Sequence, residues 1–136
     1  MTQPNQDSQG QEKRRYIRIK GSFPVEFTIV RLQDDLLDLP WSKGHTCNVS
    51  QSGIGLETKI LSESVIRYLS KRNLYLELKI HVPTKEVPMK AIVEVMWYKP
   101  IEDNDKCFLI GLDFRSVIEE DLNLLISQAR AIQENV

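Results

Sequence analysis

Apolar and polar residues alternate with a period of two along several segments of the chain, which is the pattern of a β-strand with one buried face. The pattern predicts strands over 23–30, 74–82, 91–98 and 108–114. Pro24 lacks a backbone N–H, so the first of these strands should begin there or lie at a sheet edge. The first two strands present as their buried faces Phe23, Val25, Phe27 and Ile29, and Leu74, Leu76, Leu78, Ile80 and Val82.

The segment over 91–98 places Trp97 in phase with Ala91, Val93 and Val95. We therefore expect Trp97 on the core side of this strand and Tyr98 at its rim. Two shorter apolar runs, 46–49 and 54–58, predict further strands that bracket a turn.

The last part of the chain has the period of an amphipathic helix. Ser116 and Glu119 form a capping-box pattern, which predicts a helix start at that point. The apolar stripe of this helix consists of Ile118, Leu122, Leu125, Ile126, Ala129 and Ile132. Several short strands followed by one helix predict a mainly β fold, a small antiparallel barrel with the helix packed on it.

Three other segments lack strand periodicity. Residues 1–12 are polar and predict a disordered arm that precedes a domain over 13–136. Residues 31–45 end in turn formers and predict a long loop, in which Trp41 either anchors the loop on the barrel or belongs to a partner-binding patch. Residues 62–72 carry apolar positions at helical spacing and predict a short helical insert.

Composition narrows the class of protein. The chain has 136 residues and a formal net charge of −1, which predicts one domain and disfavours binding to a nucleic-acid polymer by bulk charge. No signal peptide or membrane span is expected, because no long apolar run is present. Cys47 and Cys107 predict buried thiols in a reducing cytosol. Neither these thiols nor His45 and His81 have metal-ligand spacing, so we expect no metal or other cofactor.

Positive charge is concentrated near the start of the chain, at Lys13, Arg14, Arg15, Arg18 and Lys20. Such a compact cluster suits a small anionic ligand better than a long polyanion. Arg14 and Arg18 form an R-x-x-x-R motif, and in an extended chain they would share a face, roughly 13 Å apart. A guanidinium is planar and always charged, and it can bind the O6 and N7 atoms of guanine in a fork. The alternative is a solvated basic arm that leads into a strand.

The turn after residues 46–49 carries an N-x-S-x-x-G motif, formed by Asn48, Ser50 and Gly53. The Asn48 amide offers an acceptor and two donors to a purine edge, and the Ser50 hydroxyl can donate to a phosphate. Gly53 permits a positive φ or a close approach of the backbone to a ligand. The alternative is an ordinary hairpin turn, in which these residue types are common.

Together, and in this order, the two motifs resemble the signature motifs of the PilZ domain, a bacterial receptor module for cyclic di-GMP (c-di-GMP). The Gly-Ile-Gly-Leu continuation over 53–56 and the Phe-Leu-Ile-Gly-Leu-Asp-Phe segment over 108–114 are also similar to this family. The resemblance covers roughly residues 13–130. It implies a split barrel of six or seven antiparallel strands with a C-terminal helix.

The resemblance also implies a ligand site. Arg14 and Arg18 would bind guanine faces and phosphates, Asn48 would pair with a guanine edge, and Ser50 and Gly53 would complete the pocket floor. Asn48 stands where many members have Asp, and both residues are common in the family.

Two neighbouring cations have less defined roles. Arg15 lies between the motif positions and would contribute charge. Lys13 precedes the motif, at a position that in the family helps set whether one ligand or an intercalated pair is bound. The charge of Lys13 favours a second dianionic ligand, although its ammonium lacks the planar fork that stacks on guanine. We therefore expect an intercalated pair, and the alternative is a single ligand.

The implied protein is a cytoplasmic receptor without enzymatic activity. It would bind c-di-GMP and relay the signal to an unidentified downstream protein through ordering of the N-terminal arm, as in bacterial control of motility or biofilm formation. One alternative is a degenerate PilZ-like module that binds a protein partner but no nucleotide. Another is a small barrel that binds single-stranded RNA, which the mixed charge of the outward strand residues disfavours.

Overall fold

The structure, a computed structural model, describes residues 17–30, 41–59, 74–101 and 104–134, with no side chains described for 104–106. Several sequence predictions lie outside these residues: the arm at 1–12, the helical insert at 62–72, most of the loop at 31–45, and the side chains of Lys13, Arg14 and Arg15.

The described residues form seven strands and one helix. The strands are β1 (Ile19–Lys20), β2 (Pro24–Val30), β3 (Ser42–Val49), β4 (Gly53–Thr58), β5 (Tyr75–Ile80), β6 (Met89–Ile101) and β7 (Asn104–Val117). The helix, α1, spans Glu119–Glu134.

Six of these strands close into an antiparallel barrel. Hydrogen-bonded neighbours follow the order β3, β2, β5, β6, β7, β4, and β4 pairs again with β3. β1 is the extra strand, which pairs with the second half of β3, whereas β2 pairs with the first half. The predicted mainly β barrel with a C-terminal helix is therefore confirmed.

The barrel interior holds the apolar faces that the alternation predicted. Side chains such as Phe27, Leu76, Leu78 and Ile110 are at most 1% exposed, and Pro24 opens β2 as predicted. The helix covers one side of the barrel with Leu122, Leu125, Ile126 and Ala129. Burying such a side chain stabilises the fold by about 1.5–3 kcal/mol, so these faces dominate the stability of the domain.

The prediction of a loop over 31–45 was wrong for its last four residues, because β3 begins at Ser42. Residues 42–45 pair with β2 on one side, and 44–45 also pair with β4 on the other. Their side chains are polar or absent, so no apolar alternation marks the strand; its backbone hydrogen bonds come from the neighbouring strands.

Trp41, just before β3, lies against the outer face of β5. Its ring centroid is 4.2 Å from the Nζ atom of Lys79, a cation–π contact. The side chain is 41% exposed. This contact supports the interpretation of Trp41 as an anchor on the barrel.

The predicted capping box at Ser116 was also wrong. Ser116 is still in β7, where it pairs with Ile92, and the helix begins at Glu119. The first turn contains Glu119, Glu120 and Asp121, whose negative charge stabilises the positive end of the helix dipole. The two ends of the predicted stripe, Ile118 and Ile132, are 61% and 45% exposed.

The prediction that Trp97 lies on the core face was wrong. The register of β6 against β7 shifts between Val95 and Trp97, which leaves Met96 as an extra residue in a β-bulge. After the bulge, the inward and outward positions exchange. Trp97 is 45% exposed, and Tyr98 packs against the core.

Candidate functional site

Pairing of β1 with β3 brings the two sequence motifs together. Ile19 lies opposite Val49, and Lys20 lies opposite Asn48. Arg18, just before β1, donates a hydrogen bond from Nη1 to Oδ1 of Asn48 at 2.7 Å. A charged donor makes such a bond roughly twice as strong as a neutral one. One arginine of the first motif and the asparagine of the second therefore form a single unit on the barrel surface.

A β-bulge in β3 turns Asn48 toward the outside. Thr46 pairs with Leu56 and Asn48 with Gly55, so Cys47 is the extra residue. Thr46 and Val49 are both fully buried, whereas Cys47 and Asn48 between them are partly exposed. Without the bulge, alternation would place Asn48 on the same face as Thr46, inside the barrel.

Gly55 provides the space that the Asn48 amide occupies. A Cβ atom on Gly55 would lie 2.9 Å from Sγ of Cys47 and 3.0 Å from Nδ2 of Asn48. Both distances are shorter than ordinary van der Waals contact, so any larger residue would displace the amide.

The turn between β3 and β4 is held by the buried hydroxyl of Ser50. This oxygen accepts hydrogen bonds from the backbone N–H groups of Ser52 at 3.2 Å and Gly53 at 3.3 Å. It also lies 3.1 Å from Oγ of Ser52. The Ser50 N–H donates to the Gly53 carbonyl at 2.9 Å, which closes the turn. In this structure the Ser50 side chain fixes the turn that follows Asn48.

Gly53 permits β4 to approach β7. A Cβ atom here would overlap the carbonyl oxygen of Leu112 and would lie 3.1 Å from Cα of Asp113. A close backbone approach is thus observed at Gly53, and the approaching group is the neighbouring strand.

Thr46 ties the segment that follows β1 to β3 from inside the barrel. Its buried hydroxyl donates to the Gly21 carbonyl at 2.6 Å and accepts from the Phe23 N–H at 2.9 Å. The segment between β1 and β2 is thereby tied to β3, which fixes the position of Arg18 relative to Asn48.

An open cleft of about 780 Å³ lies beside this unit, between β1, β3 and the last turn of α1. Its lining includes Arg18, Lys20, His45, Cys47 and Gln133. Two permanent cations at one wall suit an anionic ligand. Burial raises the pKa of the Cys47 thiol, and nearby Glu57 adds to the rise, so this wall carries a neutral thiol at neutral pH.

Of the predicted site residues, the structure thus brings Arg18 and Asn48 into contact, whereas Ser50 and Gly53 lie in the buried turn that follows and do not line the cleft. Sequence reasoning did not assign roles to Thr46 and Gly55. A glycine inside a strand does signal close packing, which could have identified Gly55. The buried hydroxyl of Thr46 has no comparable signal, because threonine is common in strands.

The cysteines differ from each other. Cys107 is buried as predicted, whereas Cys47 is only partly buried, and both are free thiols. Among the described residues, no group of three or more His, Cys, Asp or Glu side chains could hold a metal ion.

Comparison with solved structures shows a shared fold. The Bacillus subtilis inhibitor of motility MotI/DgrA superposes with a TM-score of 0.62 at 18% identity, over 89% of this chain and 51% of that one. This chain therefore spans about half the length of MotI/DgrA. The PilZ domain of Escherichia coli YcgR, solved with c-di-GMP, superposes with a TM-score of 0.59 at 14% identity, over 90% of this chain and 96% of that one.

Sequence comparison identifies the family. No curated protein sequence matches the chain significantly. The described part of the chain has no helix that is both long and apolar enough to span a membrane. The model of the PilZ domain family matches residues 12–131, which is most of the chain. This match agrees with the two signature motifs and with the barrel, and the chain therefore belongs to the PilZ domain family, whose members are non-catalytic and commonly bind c-di-GMP.

Proposed function

We propose that this protein binds c-di-GMP on the outer face of its barrel, at the unit formed by Arg18 and Asn48. The observation that carries the proposal is the 2.7 Å hydrogen bond between these side chains. They are thirty positions apart in the sequence, and each belongs to a different signature motif. Family membership supports the same ligand, since PilZ domains commonly bind it.

The geometry suggests how the base would be read. Because Oδ1 of Asn48 accepts from Arg18, the amide is oriented with Nδ2 toward the Cys47 sulfur, a weak acceptor at 3.7 Å. Nδ2 carries two hydrogens, so the one that is not directed at the sulfur can donate to O6 or N7 of a guanine. The guanidinium of Arg18 and the ammonium of Lys20 supply positive charge for the phosphates.

The other motif residues complete the proposed site. Arg14 would grip a second part of the ligand, with Arg15 adding charge and Lys13 favouring an intercalated pair. Ser50 and Gly53 would form the floor of the pocket by fixing the backbone of the turn. Binding would order the N-terminal arm over the ligand, and the changed surface would signal to a downstream protein.

Calorimetric titration with c-di-GMP tests the proposal. Arg14→Ala and Arg18→Ala should each weaken binding by at least about 2 kcal/mol, because each removes charged hydrogen bonds to the ligand. Lys90→Ala is the matched control, since it removes an exposed cation from β6, away from the cleft. The molar ratio at saturation reports one ligand or a pair.

Two results would count against the site. If the double variant Arg14→Ala/Arg18→Ala bound within threefold of wild type, the assigned residues would be wrong. If the folded wild-type protein bound no c-di-GMP at all, the alternative of a module that binds only a protein partner would replace this proposal.

A further inference from the structure

One wall of the cleft carries an imidazole that neither signature motif includes. His45 lines the cleft of about 780 Å³ together with Arg18 and Lys20. It stands on β3 three positions before Asn48, roughly 10 Å away along the strand. Because Thr46 points into the core, alternation directs the His45 side chain outward, where it is half-exposed. The histidine thus shares the outer surface with the unit formed by Arg18 and Asn48.

A carboxylate pairs with this histidine from the neighbouring strand. Glu57 of β4 lies directly opposite His45, and its Oε1 atom is 3.7 Å from Nε2 of the ring. Glu57 lines a second hollow, of about 350 Å³, and His45 borders both this hollow and the cleft. The imidazole therefore lies between the carboxylate and the cleft in which the ligand is proposed to bind.

The charge of His45 decides how this wall acts on an anion. With a neutral imidazole, the negative charge of Glu57 near the cleft opposes the binding of phosphates. A protonated imidazole pairs with the carboxylate and adds a third positive charge to those of Arg18 and Lys20. Protonation of one side chain would thus change the wall from mixed charge to net attraction for a dianion.

The other elements around the ring contribute both charged and neutral groups. β2 places Pro24 opposite His45, and α1 contributes the uncharged Gln133 to the cleft. Burial raises the pKa of the Cys47 thiol, so this neighbour stays neutral at the pH values where histidines change charge. The charged groups that line the cleft and the second hollow besides His45 are Arg18, Lys20, Lys43, Glu57 and Lys59. By residue type, the imidazole is the described group of this wall that a pH change near neutrality would charge or discharge.

We propose that His45 is a phosphate-binding residue of the ligand site, and that c-di-GMP binds to the form in which its imidazole is protonated. This inference rests on the proposed function and extends it to a residue outside both motifs. The protonated ring would donate a charged hydrogen bond to a phosphate oxygen while the Asn48 amide reads a base edge. Because binding then takes up a proton, the affinity for c-di-GMP should rise as the pH falls.

Calorimetric titration at two pH values tests the coupling. From about pH 8 to about pH 6, the affinity of wild type for c-di-GMP should rise at least about fivefold. The phosphodiesters of the ligand stay ionised over this range, so the change must arise in the protein. Titration at one pH in two buffers of different ionisation enthalpy should also show net proton uptake on binding.

Substitutions of His45 separate its charge from its shape. His45→Gln keeps a polar side chain that takes up no proton, so its affinity should be nearly the same at both pH values. His45→Lys carries its charge at both pH values and should bind more tightly than His45→Gln at the higher pH. Thermal unfolding of each variant checks that the barrel is retained.

His81→Gln is the matched control. His81 also pairs with a glutamate, since its Nε2 atom is 3.3 Å from Oε1 of Glu26. It follows β5, which lies on the side of β2 away from β3, and its N–H donates to the Pro24 carbonyl. This variant should therefore keep the pH response of wild type.

NMR of the same control variant follows the proposed proton directly. The chain has two histidines, so His45 is the single imidazole of the His81→Gln protein. Its ring resonances should show the protonated form up to a higher pH with c-di-GMP bound than without it.

The outcomes separate this inference from the function beneath it. If wild type binds c-di-GMP with the same affinity at both pH values, the role of His45 is overturned and the proposed function stands. A His45→Gln protein with the pH response of wild type would do the same, because the proton would then bind elsewhere. If wild type binds no c-di-GMP at either pH, the proposed function fails and this inference fails with it. The NMR experiment uses the native His45, so it decides even if the variants at this position do not fold.

Discussion

At the scale of single residues, the site depends on two glycines, which have no side chain, as well as on the polar side chains around them. Gly55 has no Cβ, and the Asn48 amide occupies the space above it. Gly53 allows β4 to pack against the backbone of Leu112. A sequence motif that marks Asn48 and Gly53 therefore records two different physical requirements, one for a polar group on the surface and one for close strand packing.

Gly55→Ala tests the first requirement. The new methyl would lie 3.0 Å from Nδ2 of Asn48, so the amide must shift while the barrel stays folded. We expect weaker c-di-GMP binding and a smaller preference for guanine over adenine cyclic dinucleotides, as for Asn48→Ala. Calorimetric titration with both nucleotides measures each effect.

A double-mutant cycle provides the control for this prediction. If Gly55→Ala acts by displacing the amide, it should have little further effect on binding in an Asn48→Ala background. Additive losses in the double variant would show that Gly55 acts by another route.

At the scale of elements, β3 is the strand on which the site is assembled. One of its edges pairs with β4, while its other edge pairs first with β2 and then with β1. Thr46 lies at the changeover, where its hydroxyl holds the segment from Gly21 to Phe23. The position of Arg18 against Asn48 thus depends on a buried polar contact inside the barrel.

Thr46→Val should both destabilise the protein and weaken ligand binding. Valine keeps the volume but leaves the Gly21 carbonyl and the Phe23 N–H without this partner, which costs about 1–3 kcal/mol of unfolding free energy. Denaturant unfolding measures that loss, and titration at low temperature measures binding of the folded fraction.

Thr58→Val is the matched control for Thr46→Val. Thr58 is also buried, and its hydroxyl donates to the Lys43 carbonyl at 2.8 Å, at the end of β3 remote from Asn48. It should lose stability without a comparable loss of affinity. Equal effects of the two variants on binding would contradict a specific role for Thr46 in positioning Arg18.

At the scale of the whole molecule, the core and the proposed site lie on opposite sides of the same sheet. The barrel interior is filled by apolar side chains, whereas Arg18 and Asn48 are on the outer face. Substitutions of these outer residues should therefore change binding much more than stability.

Limited trypsin digestion tests the proposed relay through the arm. Cleavage after Lys13, Arg14, Arg15 and Arg18 should slow at saturating c-di-GMP, because the bound arm is ordered over the ligand. Sites within barrel strands, such as Lys79 and Lys90, should change little. Unchanged cutting near the N-terminus, under conditions where calorimetry shows full binding, would refute the arm mechanism.

The sequence by itself determined the strands with a buried face and the residues of the two motifs. A period-two pattern over 23–30 or 74–82 specifies both the strand and its inner face, because burial acts on each residue locally. The same reasoning failed where strands are polar, as at residues 42–45, and where a strand continues to Ser116 beyond the expected helix start.

Only the tertiary structure decided which way Asn48 and Trp97 face. Each follows a β-bulge, at Cys47 and at Met96, and each bulge reverses the alternation after it. A bulge is a property of the register between two strands, set by packing and hydrogen bonding across the whole barrel, and one strand's sequence does not contain that information. The pairing of β1 with β3 likewise joins residues that are distant in the chain, and it places Arg18 on Asn48.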